Sequence, residues 1–292
     1  MGGWPGVILA GLKRAAAALS CWLALGVPGQ AIDAPARIVS INLCTDELLL
    51  ALADPGQIAA LSIYATDPTL SYFAEKAQQF RHDAAAAETV VGIAPDLVLA
   101  GRFTKRATRE LLKQLGYRLV ELDAARSVAD SVAAIRQVAA LVGHPERGES
   151  LVADIAAARA RAEAILGAQS TRPSVVFYQR RGYVTGGDTL TSELLGIVGL
   201  ANQGGALAGK SGGFVPLERL VAEPPDYLVV SSLVPPAEDQ GSALLAHPAL
   251  LRLYPPAKRI VLPEKLTVCG GPSLPAAFDW LGAQASKVLD TP

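Results

Sequence analysis

At 292 residues, with 51% hydrophobic and 18% charged residues, the chain can build one large domain or two lobes around a substantial core. Its net charge of −1 excludes the basic footprint that nucleic-acid binding requires. Aromatic residues make up only 5%, so alanine, leucine and valine must fill the interior.

The N-terminus has the pattern of an export signal, expected over residues 1–31. Lys13 and Arg14 precede the apolar run A-A-A-A-L-S-C-W-L-A-L-G-V at 15–27, and the small residues Gly29 and Ala31 follow it. That run is shorter than the roughly 20 residues a spanning helix needs. An uncleaved anchor is the alternative. Cys21 is a poor lipidation site, because Ala18-Leu19-Ser20 makes a weak lipobox and apolar Trp22-Leu23 follows. The mature chain is expected to start near Ile32, in an oxidising compartment.

Residues 36–124 alternate strand and helix patterns. The strands are A-R-I-V-S-I, Q-I-A-A-L-S-I-Y, P-D-L-V-L-A-G and Y-R-L-V-E-L-D. Helical patterns fall at Asp46–Ala53, Leu70–Gln79 and Lys105–Leu115, the last stopped by Gly116. Such alternation implies a parallel sheet covered on both faces.

Residues 126–168 are helical throughout. Ser127 is the expected N-cap of S-V-A-D-S-V-A-A-I-R-Q-V-A-A-L-V-G, whose apolar residues recur at i, i+3, i+4 and i+7. A helix of about 20 residues, roughly 30 Å, then opens at Pro145. Residues 172–292 return to the alternating pattern. Strands are expected at S-V-V-F-Y, D-Y-L-V-V-S-S and R-I-V-L-P. Helices are expected from Thr189 or Thr191, over P-L-E-R-L-V-A, and over the closing P-S-L-P-A-A-F-D-W-L-G-A-Q-A-S-K-V-L. The fold class is therefore α/β: two Rossmann-like lobes joined by one long backbone helix.

Two motif matches lack their structural context. G-G-A-L-A-G-K-S at 204–211 fits the phosphate-binding P-loop expression, yet G-G-F-V-P follows it and cannot open a helix. G-K-S-G-G at 209–213 fits a nucleophile elbow without a strand before it or a helix after it. His82, His144 and His247 lie in loop-like contexts. A P-loop-like nucleotide-binding enzyme and a membrane-anchored sensor are the rival readings.

The whole pattern over residues 36–290 resembles the helical-backbone periplasmic binding proteins that feed ABC importers for cobalamin, ferric siderophores or haem. The resemblance rests on R-I-V-S-I-N-L-C-T-D-E-L-L-L-A-L, A-A-L-S-I-Y-A-T-D-P, E-T-V-V-G-I-A-P-D-L-V-L-A-G, L-G-Y-R-L-V-E-L-D and F-V-P-L-E-R-L-V-A-E-P-P-D-Y-L-V-V, in that order. It implies a non-enzymatic, periplasmic and monomeric protein without a cofactor of its own. Such a protein carries a metal chelate to an inner-membrane ABC permease.

In such proteins the ligand lies between the lobes at the carboxyl ends of strands, as in open parallel sheets generally. By that resemblance Tyr64, His82, Arg102 and Phe103 are first-lobe ligand contacts. His82 stands where the cobalamin-binding relative has a Trp. Tyr178, Arg180, Arg181, Tyr183 and Phe214 are second-lobe candidates. Glu88 and Glu218, each in a short helix before a Pro-Asp and a strand, match the pair that docks on permease arginines. Cys44 and Cys269 flank the cleft. They are expected as packed free thiols, with a disulfide or contact to a bound metal complex as alternatives. Tyr64 leans towards a corrinoid, whereas His82 and the arginines lean towards an anionic iron chelate; haem stays open because Tyr64 or His82 could serve as an axial ligand.

Overall fold

The β-branched runs become parallel sheets in the computed structural model, which describes residues 34–165, 172–233 and 243–289 together with Gly2. The expected export segment, with Cys21, lies outside the described residues apart from Gly2.

The first lobe runs β1 (Ile38–Ser40), α1 (Leu43–Leu52), β2 (Ile58–Ala60), α2 (Ala74–Ala77), α3 (Ala87–Ile93), β3 (Leu97–Gly101), α4 (Arg106–Gln114) and β4 (Leu119–Leu122). Its strands lie in the order β2-β1-β3-β4, every neighbour parallel. All five residues of β3 are buried, as expected for a strand covered on both faces. Two helices follow, α5 (Val128–Val142) and α6 (Pro145–Ile165). Ser127 caps α5 by accepting the Asp130 amide at 3.0 Å. Pro145 sits at the start of the 21-residue α6, where its missing N–H costs nothing.

The second lobe runs β5 (Ser174–Phe177), β6 (Tyr183–Val184), α7 (Leu190–Ile197), β7 (Ala201–Asn202), α8 (Gly204–Ala208), β8 (Gly213–Phe214), α9 (Leu217–Ala222), β9 (Tyr227–Val230), α10 (Pro248–Leu253), β10 (Arg259–Val261) and α11 (Leu274–Leu289). Its main sheet has the order β10-β9-β5-β7. The two sheets share one plan. In each, the lobe's first strand lies between its second and third, and its fourth pairs with the third. The antiparallel pair β6–β8 stands apart.

The shared plan extends to side chains. Asp96, just before β3, accepts the Ala36 amide at 2.8 Å beside the start of β1. Asp226, just before β9, accepts the Ser174 amide at 2.8 Å at the start of β5. The Pro-Asp of each lobe thus fastens its third strand to its first.

One apolar cluster joins the lobes. It includes Leu49 and Leu52 of α1, Ile135 and Val138 of α5, Ala158 of α6, Leu194 of α7, and Phe278 and Leu281 of α11. Each of these is no more than 1% exposed. Burial of one such leucine stabilises by roughly 1.5–3 kcal/mol.

The helix expected over Leu70–Gln79 shrinks to Ala74–Ala77. Asp67 accepts both the amide and the hydroxyl of Thr69, and the Tyr72 amide donates to Glu47. Those bonds hold residues 67–72 in turns, and the helix begins only at Ala74.

Candidate functional site

The site forms where β3 and β4 end. The Arg102 amide donates to the Leu122 carbonyl at 2.9 Å, so the ladder runs one residue past β3. Phe103 then stands 83% exposed. Gly101 permits this crossing, because a Cβ there would lie 2.7 Å from the Asn42 side chain. Asn42 is itself the cap of α1, accepting the Cys44 amide at 3.0 Å. Strand end and helix start therefore meet through a glycine and an asparagine.

A cavity of about 810 Å³ opens beside these ends. Arg102, Phe103 and Asp123 line it from the first lobe, and Asp188, Thr189 and Ser211 from the second. That volume lies in the range of small-molecule sites, roughly 300–1,000 Å³. A smaller pit of about 70 Å³ shares Arg102, Phe103 and Asp123 with it, and is walled by Cys44, Leu48, Ala125, Val268 and Cys269.

The charges of the larger cavity are matched within the protein. Arg102 pairs with Asp123 at 3.1 Å. Arg126 pairs with Asp188 at 2.5 Å and so ties the segment before α5 to the second lobe. Asp130 accepts the Arg126 amide at 2.9 Å, and that bond holds its carboxyl below the usual range. Glu121 turns towards Lys113 and Arg109 of α4; the Lys113 hydrogen bond is the chief cause of its lowered carboxyl. With Glu121 turned to α4, Arg102 and Arg126 face Asp123, Asp130 and Asp188 around the cavity.

The expected residues separate into groups. Arg102, Phe103, Cys44 and Cys269 come together at the cavities. Tyr64 is half exposed, and His82 is exposed with its Nδ1 bonded to the Phe80 carbonyl at 2.8 Å. Neither lines the two cavities. Tyr183 is half-buried and donates its hydroxyl to the Ser211 carbonyl at 3.0 Å, at the cavity's second-lobe edge. Phe214 packs edge-on against Tyr183, with ring centres 5.6 Å apart, and also lines a separate groove with Arg181, Glu218 and His247. Arg180 is exposed in the turn after β5, and Arg181 beside it has φ 60.

Two expectations need correction. Tyr178 is not a ligand contact: it is fully buried in the second-lobe core and donates its hydroxyl to the Val215 carbonyl at 3.3 Å. Cys44 and Cys269 are not free thiols. The folds of the two lobes bring their Cα atoms to 5.0 Å and the sulfurs are bonded as a disulfide.

Glu88 and Glu218 are exposed, each in the first turn of its helix, α3 and α9. The P-loop-like run is ordered the wrong way for nucleotide: Gly204–Ala208 is already helix, and Lys210 precedes strand β8.

Sequence reasoning missed Arg126, Asp123 and Asp188: Asp123 only closed an expected strand, and the other two belong to no motif. It also missed Asp46 and Glu47, both fully buried on α1. A signal existed for the acids. Leu43, Leu48, Leu49, Leu50 and Leu52 cover most of the helix circumference, leaving no broad solvent face for them.

A family model described as periplasmic binding protein matches residues 38–254. A curated cobalamin-binding protein of Halobacterium salinarum is 24% identical over 221 residues. That match covers 75% of this chain and 60% of the relative, so the chain spans less than two thirds of the relative's length. The apo periplasmic heme-binding protein RhuT of Roseiflexus sp. RS-1 superposes with a TM-score of 0.68 at 24% identity, covering 85% of this chain and 98% of that one. A periplasmic heme-binding protein of Pseudomonas aeruginosa gives 0.69 at 23% identity, over 85% and 92%. The periplasmic vitamin B12 binding protein BtuF of Vibrio cholerae gives 0.67 at 16%, over 88% and 99%. At these identities the likeness is one of fold. Among the described residues, no helix is long and apolar enough to cross a membrane.

Proposed function

The chain belongs to the periplasmic binding protein family, and we propose that it captures a metal chelate between its lobes and delivers it to an ABC permease. The observation that carries this reading is the cavity of about 810 Å³ lined from both lobes, with the exposed Phe103 ring at its wall. A large flat ligand gains most from such a ring, whose apolar face is already out in solvent. Glu88 and Glu218 supply the docking charges on the two lobes, and the residue 1–31 segment supplies export.

Among the chelates considered, the charge balance favours a corrinoid. Arg102 and Arg126 are already engaged by Asp123 and Asp188, and Asp130 adds a further carboxylate. An anionic ferric siderophore, or haem with its propionates, would meet three carboxylates beside two arginines whose charge is already balanced. A corrinoid without net negative charge avoids that repulsion. The names of the curated relatives agree with that choice.

The test is a fluorescence titration of the exported protein, read from Trp280 with inner-filter controls. The titrants are cyanocobalamin, haemin and a panel of ferric siderophores. Saturable binding of cyanocobalamin above the others supports the reading, and silence from all of them removes it.

A further inference from the structure

We propose that the Cys44–Cys269 disulfide is a reducible wall of the ligand site: a low-molecular-weight thiol cleaves it, cleavage weakens chelate binding, and bound chelate shields it. The proposal rests on the function above only for its ligand arm.

The bond joins two parts of the fold that meet at the site. Cys44 lies in the first turn of α1, in the first lobe, and Cys269 lies on the segment joining β10 to α11. Both are half-buried and both line the small pit, so the sulfurs are within reach of a small molecule. Gly270 follows at φ 70, wedged so closely that a Cβ would meet Ser131 Oγ of α5 at 2.7 Å and Leu190 of α7 at 2.8 Å. Two separate thiols cannot keep the bonded separation of a disulfide. Their parting is taken up on the open side, in the pit, since Gly270 behind Cys269 is packed against Ser131 and Leu190. The chain has three cysteines, and the third, Cys21, lies in the expected export segment, so protein processed near Ile32 holds no competing thiol.

The chemistry balances with the thiol as reductant. One external thiolate attacks a cysteine sulfur, forming a mixed disulfide and releasing the other cysteine as a thiolate. A second external thiol attacks the mixed disulfide. The products are two cysteine thiols and one external disulfide, with two electrons and two protons delivered to the protein. Linkage then requires the effect to be mutual: if reduction weakens binding, binding must oppose reduction by the same factor.

The experiment exposes the folded, oxidised protein to dithiothreitol, quenches with iodoacetamide, and follows the intact mass with and without saturating cyanocobalamin. The expected result is a reduction rate slowed by the ligand that covers the sulfurs, and a Kd for Cys44→Ser/Cys269→Ser weaker by about 5-fold or more. Ligand that binds by calorimetry yet leaves the rate unchanged overturns the proposal. If cyanocobalamin does not bind, the proposed corrinoid function fails, and hydrogen exchange after reduction in place decides the wall. Faster exchange over 43–48 and 266–271, with unchanged far-UV dichroism, supports it; unchanged exchange overturns it. Reduction in place also covers a serine variant that fails to fold.

Discussion

The Asp46 carboxylate accepts two hydrogen bonds from Ser62, from its amide at 3.0 Å and from its hydroxyl at 2.5 Å. The same hydroxyl oxygen accepts the Tyr64 amide at 3.2 Å, so the loop that carries Tyr64 hangs from a buried acid. Burial pushes the Asp46 carboxyl up to about 7, outweighing the serine hydrogen bonds. Burial pushes neighbouring Glu47 up to about 8, against the Tyr72 amide and with help from the Asp46 charge. Unfolded, both titrate near 4. The folded protein therefore binds the extra protons between about pH 4 and 8, and stability falls as pH rises through that window. Thermal unfolding should occur several degrees lower at pH 8.5 than at pH 6, at about 2–4 °C per kcal/mol. Asp46→Asn/Glu47→Gln should flatten that slope; a slope equal to wild type would contradict the assignment.

Phe103 has almost no packing to lose. Phe103→Ala should leave stability within about 0.5 kcal/mol. It should weaken chelate binding by roughly 3- to 10-fold, the loss of one aromatic contact worth about 0.5–1.5 kcal/mol. Paired unfolding and binding curves separate the two effects.

Tyr178 predicts the reverse. Tyr178→Phe removes a buried hydroxyl from the Val215 carbonyl and should cost about 0.5–1.5 kcal/mol of stability. Chelate affinity should not change, since the ring lies in the core; a selective loss of affinity would return Tyr178 to the site.

Glu88 and Glu218 are exposed on separate lobes and touch neither cavity of the cleft. Glu88→Lys/Glu218→Lys should bind chelate as wild type does, while cells relying on it for uptake lose transport. Retained uptake would show that docking does not use these carboxylates.

The two-lobed plan was legible because its signals are local. Ser127, Thr189 and Pro145 mark helix starts by their own chemistry, and all three hold those positions. Arg102 and Phe103 were legible because a residue after a parallel strand stands at the sheet's ligand-binding edge. Tyr178 misled for the same reason. It follows β5 directly, but its backbone makes an isolated bridge to Val184, which keeps the ring inside. The helix over 70–79 begins only at Ala74 because residues 68–73 are held in turns, in which Glu47, 25 residues away, accepts the Tyr72 amide. The Arg126–Asp188 pair and the disulfide span 62 and 225 residues, and no window of sequence shows which partner a long-range contact will find.

The most direct test of the account is calorimetry of the oxidised protein and its Phe103→Ala variant with cyanocobalamin. A corrinoid site walled by Phe103 gives one saturable site per chain in the wild type, weakened in the variant while both unfold at the same temperature. An absence of binding to wild type, or binding that ignores Phe103, would contradict a corrinoid site at the ends of β3 and β4.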